Sequence, residues 1–235
     1  MDVFGAHWRD HALRVETAWR ERVVPEDVVC LPGDLTWAMR LSEARAELRW
    51  LGSLPGRKVL VKGNHDYWWG SIAKVRAELP PGVYALQNDA VCLDGVGFAA
   101  ARGWVDPRLD FSGLPCGAPL EPAEPHVLRG IQGEHEDEKI YRRELQRLEA
   151  SLRALDPAAA LRVALLHFPP TSPRLEETPV TLLLESHRVD VAVFGHLHGA
   201  GGEVLAGPFG ARGGVTYHLV SADFAGFAPV LVAQS

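Results

Sequence analysis

Short apolar runs alternate along the chain with segments in which apolar residues recur every three to four positions. The runs at 27–31, 58–61, 162–166 and 189–194 have the length and continuity of strands buried in a sheet. Residues 10–22, 41–51, 70–79, 136–155 and 178–187 carry a helical period instead. Leu13, Ala18 and Trp19 share a face of the first helix. Leu41, Ala44, Leu48 and Leu51 line the second, and Ile140, Leu145, Leu148, Leu152 and Leu155 form the stripe of the fourth. Pro80-Pro81 and Pro157 close two of these helices, and Pro179 opens another. Residues 83–86, 90–93 and 96–100 read as short strands joined by Asn-Asp and Asp-Gly turns, with further strands at 215–220 and 230–232. Strand–helix alternation followed by more strands predicts a layered α/β protein with a mixed sheet.

Residues 103–135 break the pattern, being rich in Gly, Pro and acidic side chains. That is too long for an ordinary connection, so the expectation is one domain over 1–235 with a functional loop insertion at about 103–135. His126 and His135 fall in this loop and read as solvent-exposed. There is no internal repeat and no low-complexity tract.

Composition narrows the class. The chain has 235 residues, 47% of them apolar and 23% charged, which suffices for one large core. The net charge of −6 argues against long nucleic acid as the partner and leaves small phosphorylated molecules, nucleotide-like ones among them. Cys30, Cys92 and Cys116 are odd in number and form no CxxC pair, so neither a disulfide framework nor a thiolate zinc site is expected. Cys30 and Cys92 lie in apolar runs and read as core thiols. No apolar run approaches the ~20 residues that cross a bilayer. The start MDVFGAHWRDH lacks the basic and apolar regions of a signal peptide, so a cytoplasmic location is the default expectation.

The chemistry concentrates where strands end. Gly33-Asp34, Gly63-Asn64-His65-Asp66, His167 and Gly195-His196-Leu197-His198-Gly199 each follow a predicted strand, on the edge where α/β sheets collect ligands. Alone, a GD turn or a single histidine after a strand is ordinary. GNHD offers an amide oxygen, an imidazole and a carboxylate in succession. In GHLHG, two histidines at i and i+2 point to one side of an extended segment. Oxygen and nitrogen donors without thiolate suit divalent Mn, Fe, Zn or Co. Two such ions about 3.5–4 Å apart can clamp a phosphoryl group and generate hydroxide near neutral pH. Arg102, after the 96–100 strand, could grip a phosphate through its planar fork or pair with an acidic loop residue. Tyr67, Trp68 and Trp69 read as packing for the following helix rather than a stacking platform. Asp223, after the late strand, reads as a turn residue.

In this order, GD, GNHD, H and GHxH resemble the calcineurin-like metallophosphoesterase superfamily. LPGDLTWAM (31–39) and VKGNHDYWWG (61–70) are similar to its bacterial branch. The resemblance spans about 27–220. It implies a four-layer fold, a mixed β-sandwich flanked by helices, with metals at the loop edge. It also implies roles: Asp34 bridging two divalent ions, Asn64, His167 and His196 completing one site, and His198 belonging to the other. His65 would be general acid and phosphate contact, steadied by Asp66, with Asn64 also touching substrate. The implied activity is hydrolysis of a phosphomonoester or phosphodiester. The alternatives are a nuclease acting on nucleic acid ends, or a non-catalytic phosphoryl- or protein-binding scaffold.

One family feature has no counterpart. No Asp-x-His precedes Asp34, and the first residues resemble the segment just after that motif. The expectation is a fold without its first strand, through a start assigned too late, with one metal site complete and the second impaired. A natural truncation is one alternative. Another is replacement of the absent ligands by Asp2, His7 or water; Asp2 and His7 have the wrong spacing, and Asp10 and His11 are adjacent at a helix start.

Overall fold

A computed structural model of the protein describes residues 5–104, 106–112, 114, 130–199 and 207–234, with the backbone alone for 130–136. After a 3-10 turn at Ala6–Trp8, the elements are α1 (His11–Arg22), β1 (Val28–Leu31), α2 (Leu41–Ser53), β2 (Arg57–Leu60), α3 (Ile72–Glu78), β3 (Val83–Ala85), β4 (Ala90–Leu93) and β5 (Val96–Ala101). They continue with α4 (Gly130–Arg153), β6 (Leu161–Leu166), α5 (Pro179–Ser186), β7 (Val191–Phe194), β8 (Gly210–Arg212) and β9 (Val215–Leu219).

The strands form two sheets. One is three-stranded in the order β1-β2-β3 and parallel throughout. The other is six-stranded in the order β4-β5-β6-β7-β9-β8; its four central strands are parallel, and β4 and β8 are antiparallel edges. Period-two alternation distributes the side chains. Val59 and Val61 meet Phe98, Ala100, Val163, Leu165, Val191 and Val193 between the sheets. Ala164, Leu166, Ala192 and Phe194, one position out of phase, face Leu148 and Leu152 of α4 and Leu184 of α5. On the opposite side Leu60 and Ala85 pack against Trp19 of α1, Leu48 and Leu51 of α2 and Val75 of α3. The result is helix, sheet, sheet, helix: the four-layer mixed sandwich that the resemblance implied.

Several local expectations need correction. α4 begins at Gly130, six residues before the predicted start, because Gly130 and Gly133 are weak helix formers and mask its first turns. No strand forms at 230–232, whereas the polar β8 pairs with β9. Leu13 is exposed on α1, and Trp19 carries that helix's burial. Cys92 points outward from the edge strand β4 rather than into the core. Cys116 and His126, as well as the side chain of His135, fall outside the described residues. No helix among the described residues is long and apolar enough to cross a membrane.

Candidate metal centre

The polar residues singled out above assemble because β1, β2, β6 and β7 end side by side. Val61 N–H reaches Leu31 O at 3.2 Å, and Gly195 N–H reaches His167 O at 3.2 Å, so the pairing continues to the lip of each sheet. The backbone there is contorted. Asp34 and His196 adopt φ of 58° and 70°, a left-handed region that non-glycine residues seldom occupy and that recurs at functional sites. Glycine allows the close approach. A Cβ at Gly33 would lie 2.7 Å from His167 Nδ1, and one at Gly63 would run into the Asp34 carboxylate and backbone.

Asn64 Oδ1 is the focus. His167 Nε2 lies 2.5 Å from it and His196 Nδ1 3.1 Å. Asp34 Oδ2 stands 3.5 Å from His167 Nε2. His167 Nδ1 is 2.8 Å from Pro32 O, a carbonyl that can only accept, so Nδ1 carries the ring proton. Burial pushes the His167 pKa down to about 3. Burial, helped by neighbouring His167, takes His196 to about 2. A neutral His167 protonated on Nδ1 presents the Nε2 lone pair to the lone pairs of an amide oxygen and a carboxylate. Such a convergence of acceptors is repulsive by itself and suited to a cation. The donor set therefore fits a divalent ion. The side chains are packed on one another rather than spread around a centre. Among the described residues, no three His, Cys, Asp or Glu groups stand in a ready coordinating arrangement.

His198 lies against Asp223 and Trp8. Its Nδ1 is 3.2 Å from Asp223 Oδ1, and its ring meets Trp8 edge-on at 5.4 Å between centroids. Asp223 is 2% exposed and also accepts from Gly199 N–H at 2.8 Å and Phe224 N–H at 3.1 Å. It is the turn residue expected, and in addition a buried carboxylate that orients His198. An aspartate just past a strand, downstream of His-x-His, was the available signal. Of the residues considered as substitute ligands, His11 engages Trp8 O at 3.0 Å, and His7 Nε2 is buried without a hydrogen-bond partner. Asp2 lies outside the described residues.

The expected His65–Asp66 pair does not form. Asp66, 1% exposed, accepts from the backbone N–H of Asp34 and of Gly63 at 2.8 Å each, and of Leu35 at 3.0 Å. The Trp68 indole donates to it as well, at 3.0 Å. Burial raises its pKa, opposed by these donors. Asp66 thus ties the loop after β1 to the loop after β2, because a buried carboxylate draws in every nearby N–H. His65 instead has Tyr67 Oη 3.3 Å from Nδ1 and the Trp37 ring at 5.1 Å, and its own N–H donates to Asp34 Oδ1 at 2.9 Å. Trp68 and Trp69 are buried, as expected of packing residues, but Tyr67 is exposed.

Arg102 stands at the end of β5. Its guanidinium lies 3.8 Å from Glu144 of α4 and 4.7 Å from the Trp104 ring centre, and its carbonyl accepts from His167 and Phe168 N–H. The ion pair raised as the alternative for Arg102 is therefore present, with a helical partner rather than a loop residue.

The model of the calcineurin-like phosphoesterase family matches residues 7–200. The chain belongs to that family. The Gene 66 protein of Mycobacterium phage D29 is similar, 44% identical over 57 residues. The match covers 24% of this chain and 28% of the phage protein, so well under a third of the relative's length is matched. The crystal structure of a protein of unknown function from Aquifex aeolicus aligns over 94% of this chain and 81% of its own, at 15% identity and a TM-score of 0.37. The family match takes in Asp34, the GNHD segment, His167 and the GHLHG segment, the same residues that the strand ends bring together.

Proposed function

We propose that this phosphoesterase hydrolyses a small phosphomonoester or phosphodiester with the help of divalent metal ions. Asp34, Asn64, His167 and His196 would hold one ion, and His198, with Asp34, would contribute to a second. The observation that carries the reading is the meeting of acceptor atoms on Asn64 Oδ1, where neutral imidazoles, an amide and a carboxylate face one another. Divalent ions bound there would supply Lewis acidity, activating water and neutralising phosphate charge.

The protein's own groups do the rest. Pro32 O locks the His167 tautomer, leaving Nε2 as the donor atom. His65, half-buried beside Asn64, would give a proton to the departing ester oxygen. Arg102, partly neutralised by Glu144, lies on the His167 side and would meet substrate phosphate charge. The acidic total charge favours a small substrate over a long nucleic acid.

The test is hydrolysis of p-nitrophenyl phosphate and its bis-ester with added Mn²⁺. Turnover that is abolished by chelator, and in Asn64→Ala and His167→Ala, is the expected result. Turnover indifferent to metal, or untouched in both variants, would overturn the proposal. Metal analysis of the dialysed protein counts the ions held.

A further inference from the structure

Two large aromatic side chains stand exposed among the described residues, Trp37 at 43% and Tyr67 at 50%. Both lie against the same group. The Trp37 ring is 5.1 Å from the His65 ring and tilted by 33°, and the Tyr67 ring stands edge-on at 6.0 Å. Met39, 65% exposed, follows two residues after Trp37. The neighbouring aromatics Trp68, Trp69 and Trp19 are all buried, so the chain had room in its core for indoles and keeps this one out. Exposed aromatic surface is unfavourable in water, and when it gathers at one place it marks a binding surface.

The place matters. His65 follows Asn64 directly and its N–H donates to Asp34 Oδ1, so the aromatic pair borders the candidate metal centre. With His65 as the proton donor, the group carried by the departing ester oxygen would lie beside these two rings. A planar ring system can stack on the Trp37 indole and meet Tyr67, and stacking depends on no particular hydrogen-bond pattern.

We infer that Trp37 and Tyr67 form a recognition site for the aromatic base of a small nucleotide whose nucleoside, protonated at its ester oxygen beside His65, is the leaving group. The inference rests on the phosphoesterase reading and adds the substrate class to it. The shared chemistry extends to aryl phosphates and to bases of single-stranded nucleic acid. The net negative charge of the chain favours the free nucleotide.

Calorimetric titration of the Mn²⁺-loaded protein with a non-hydrolysable adenosine phosphonate, against methylphosphonate, tests this without requiring turnover. The adenosine ligand should bind about ten- to a hundred-fold more tightly. Trp37→Ala should remove most of that preference, and Tyr67→Phe should recover affinity lost in Tyr67→Ala. Leu182→Ala, which removes an exposed apolar side chain on α5, should leave the preference intact. Equal binding of the two ligands, or a preference that survives in Trp37→Ala, overturns the inference while leaving the phosphoesterase reading in place. A single-stranded oligonucleotide that outcompetes the mononucleotide overturns the choice of a small substrate. Preference for the adenosine ligand in a protein that hydrolyses no ester upholds the aromatic site and sinks the phosphoesterase reading.

Discussion

His198 Nδ1 lies 3.2 Å from the carboxylate of Asp223, which is itself buried and held by the Gly199 and Phe224 N–H groups. That arrangement assigns the Nδ1 proton to the Asp223 side and makes Nε2 the ring nitrogen able to donate to a metal, as carboxylate–histidine–metal arrangements do. Asp223→Asn should therefore weaken metal binding about ten- to a hundred-fold. Titration with Mn²⁺, beside an unfolding curve that checks the fold, measures it. Unchanged affinity in a folded variant would show that His198 is not a ligand.

Asp66 satisfies backbone donors from two loops at once. Asp66→Ala leaves those N–H groups and the Trp68 indole buried without their acceptor. An unsatisfied buried donor costs about 1–3 kcal/mol, so the variant should lose at least ~2 kcal/mol of stability. Urea unfolding reads the loss directly. A drop below ~0.5 kcal/mol would mean that other groups or water replace the carboxylate.

The buried histidines make the metal-free fold acid-sensitive. Burial holds His167 at about 3 and His196 at about 2, against ~6.5 in an unfolded chain. Both shifts are downward, so below pH 6.5 the unfolded chain takes up protons that the fold refuses, and stability falls as pH drops toward 3. Each histidine contributes roughly 2 kcal/mol of loss between pH 6.5 and 5. In chelator, His167→Gln should show a smaller change than the unsubstituted protein between pH 7.5 and 5. Equal changes would contradict the burial of that imidazole.

Added metal should stabilise the fold by mass action. At a free concentration of about a hundred times the dissociation constant, Mn²⁺ should add ~2.7 kcal/mol, reversed by chelator and absent in Asn64→Ala. A thermal melt with and without the ion follows this.

Gly63→Ala tests the packing of the loops themselves. A Cβ there collides with Asp34, so the variant should lose both stability and metal affinity even though it removes no donor atom. Retention of full affinity would show that the β1 loop can move aside.

Much of this was legible in the chain. Continuous apolar runs at 162–166 and 189–194, set against period 3.6 in the helices, determined the alternation of elements. The same pattern puts Asp34, Asn64, His167 and His196 just beyond strand ends, because an apolar run terminates where polar groups must emerge. Sequence order could not tell which of these would touch. That follows from parallel pairing, which aligns the ends of β1 with β2 and of β6 with β7 along one edge of the sandwich. Nor could it reveal the partners of a carboxylate. Asp66 adjoins His65 in the chain yet faces backbone N–H groups, whereas Asp223 is 25 residues from His198 and bonds to it. Local periodicity is a property of neighbours in sequence, while the orientation of a buried polar side chain is set by whichever donors the fold leaves nearby. For the same reason Tyr67 was indistinguishable from Trp68 and Trp69 in the chain, and only the tertiary structure separated the exposed ring at His65 from the two indoles packed beneath it.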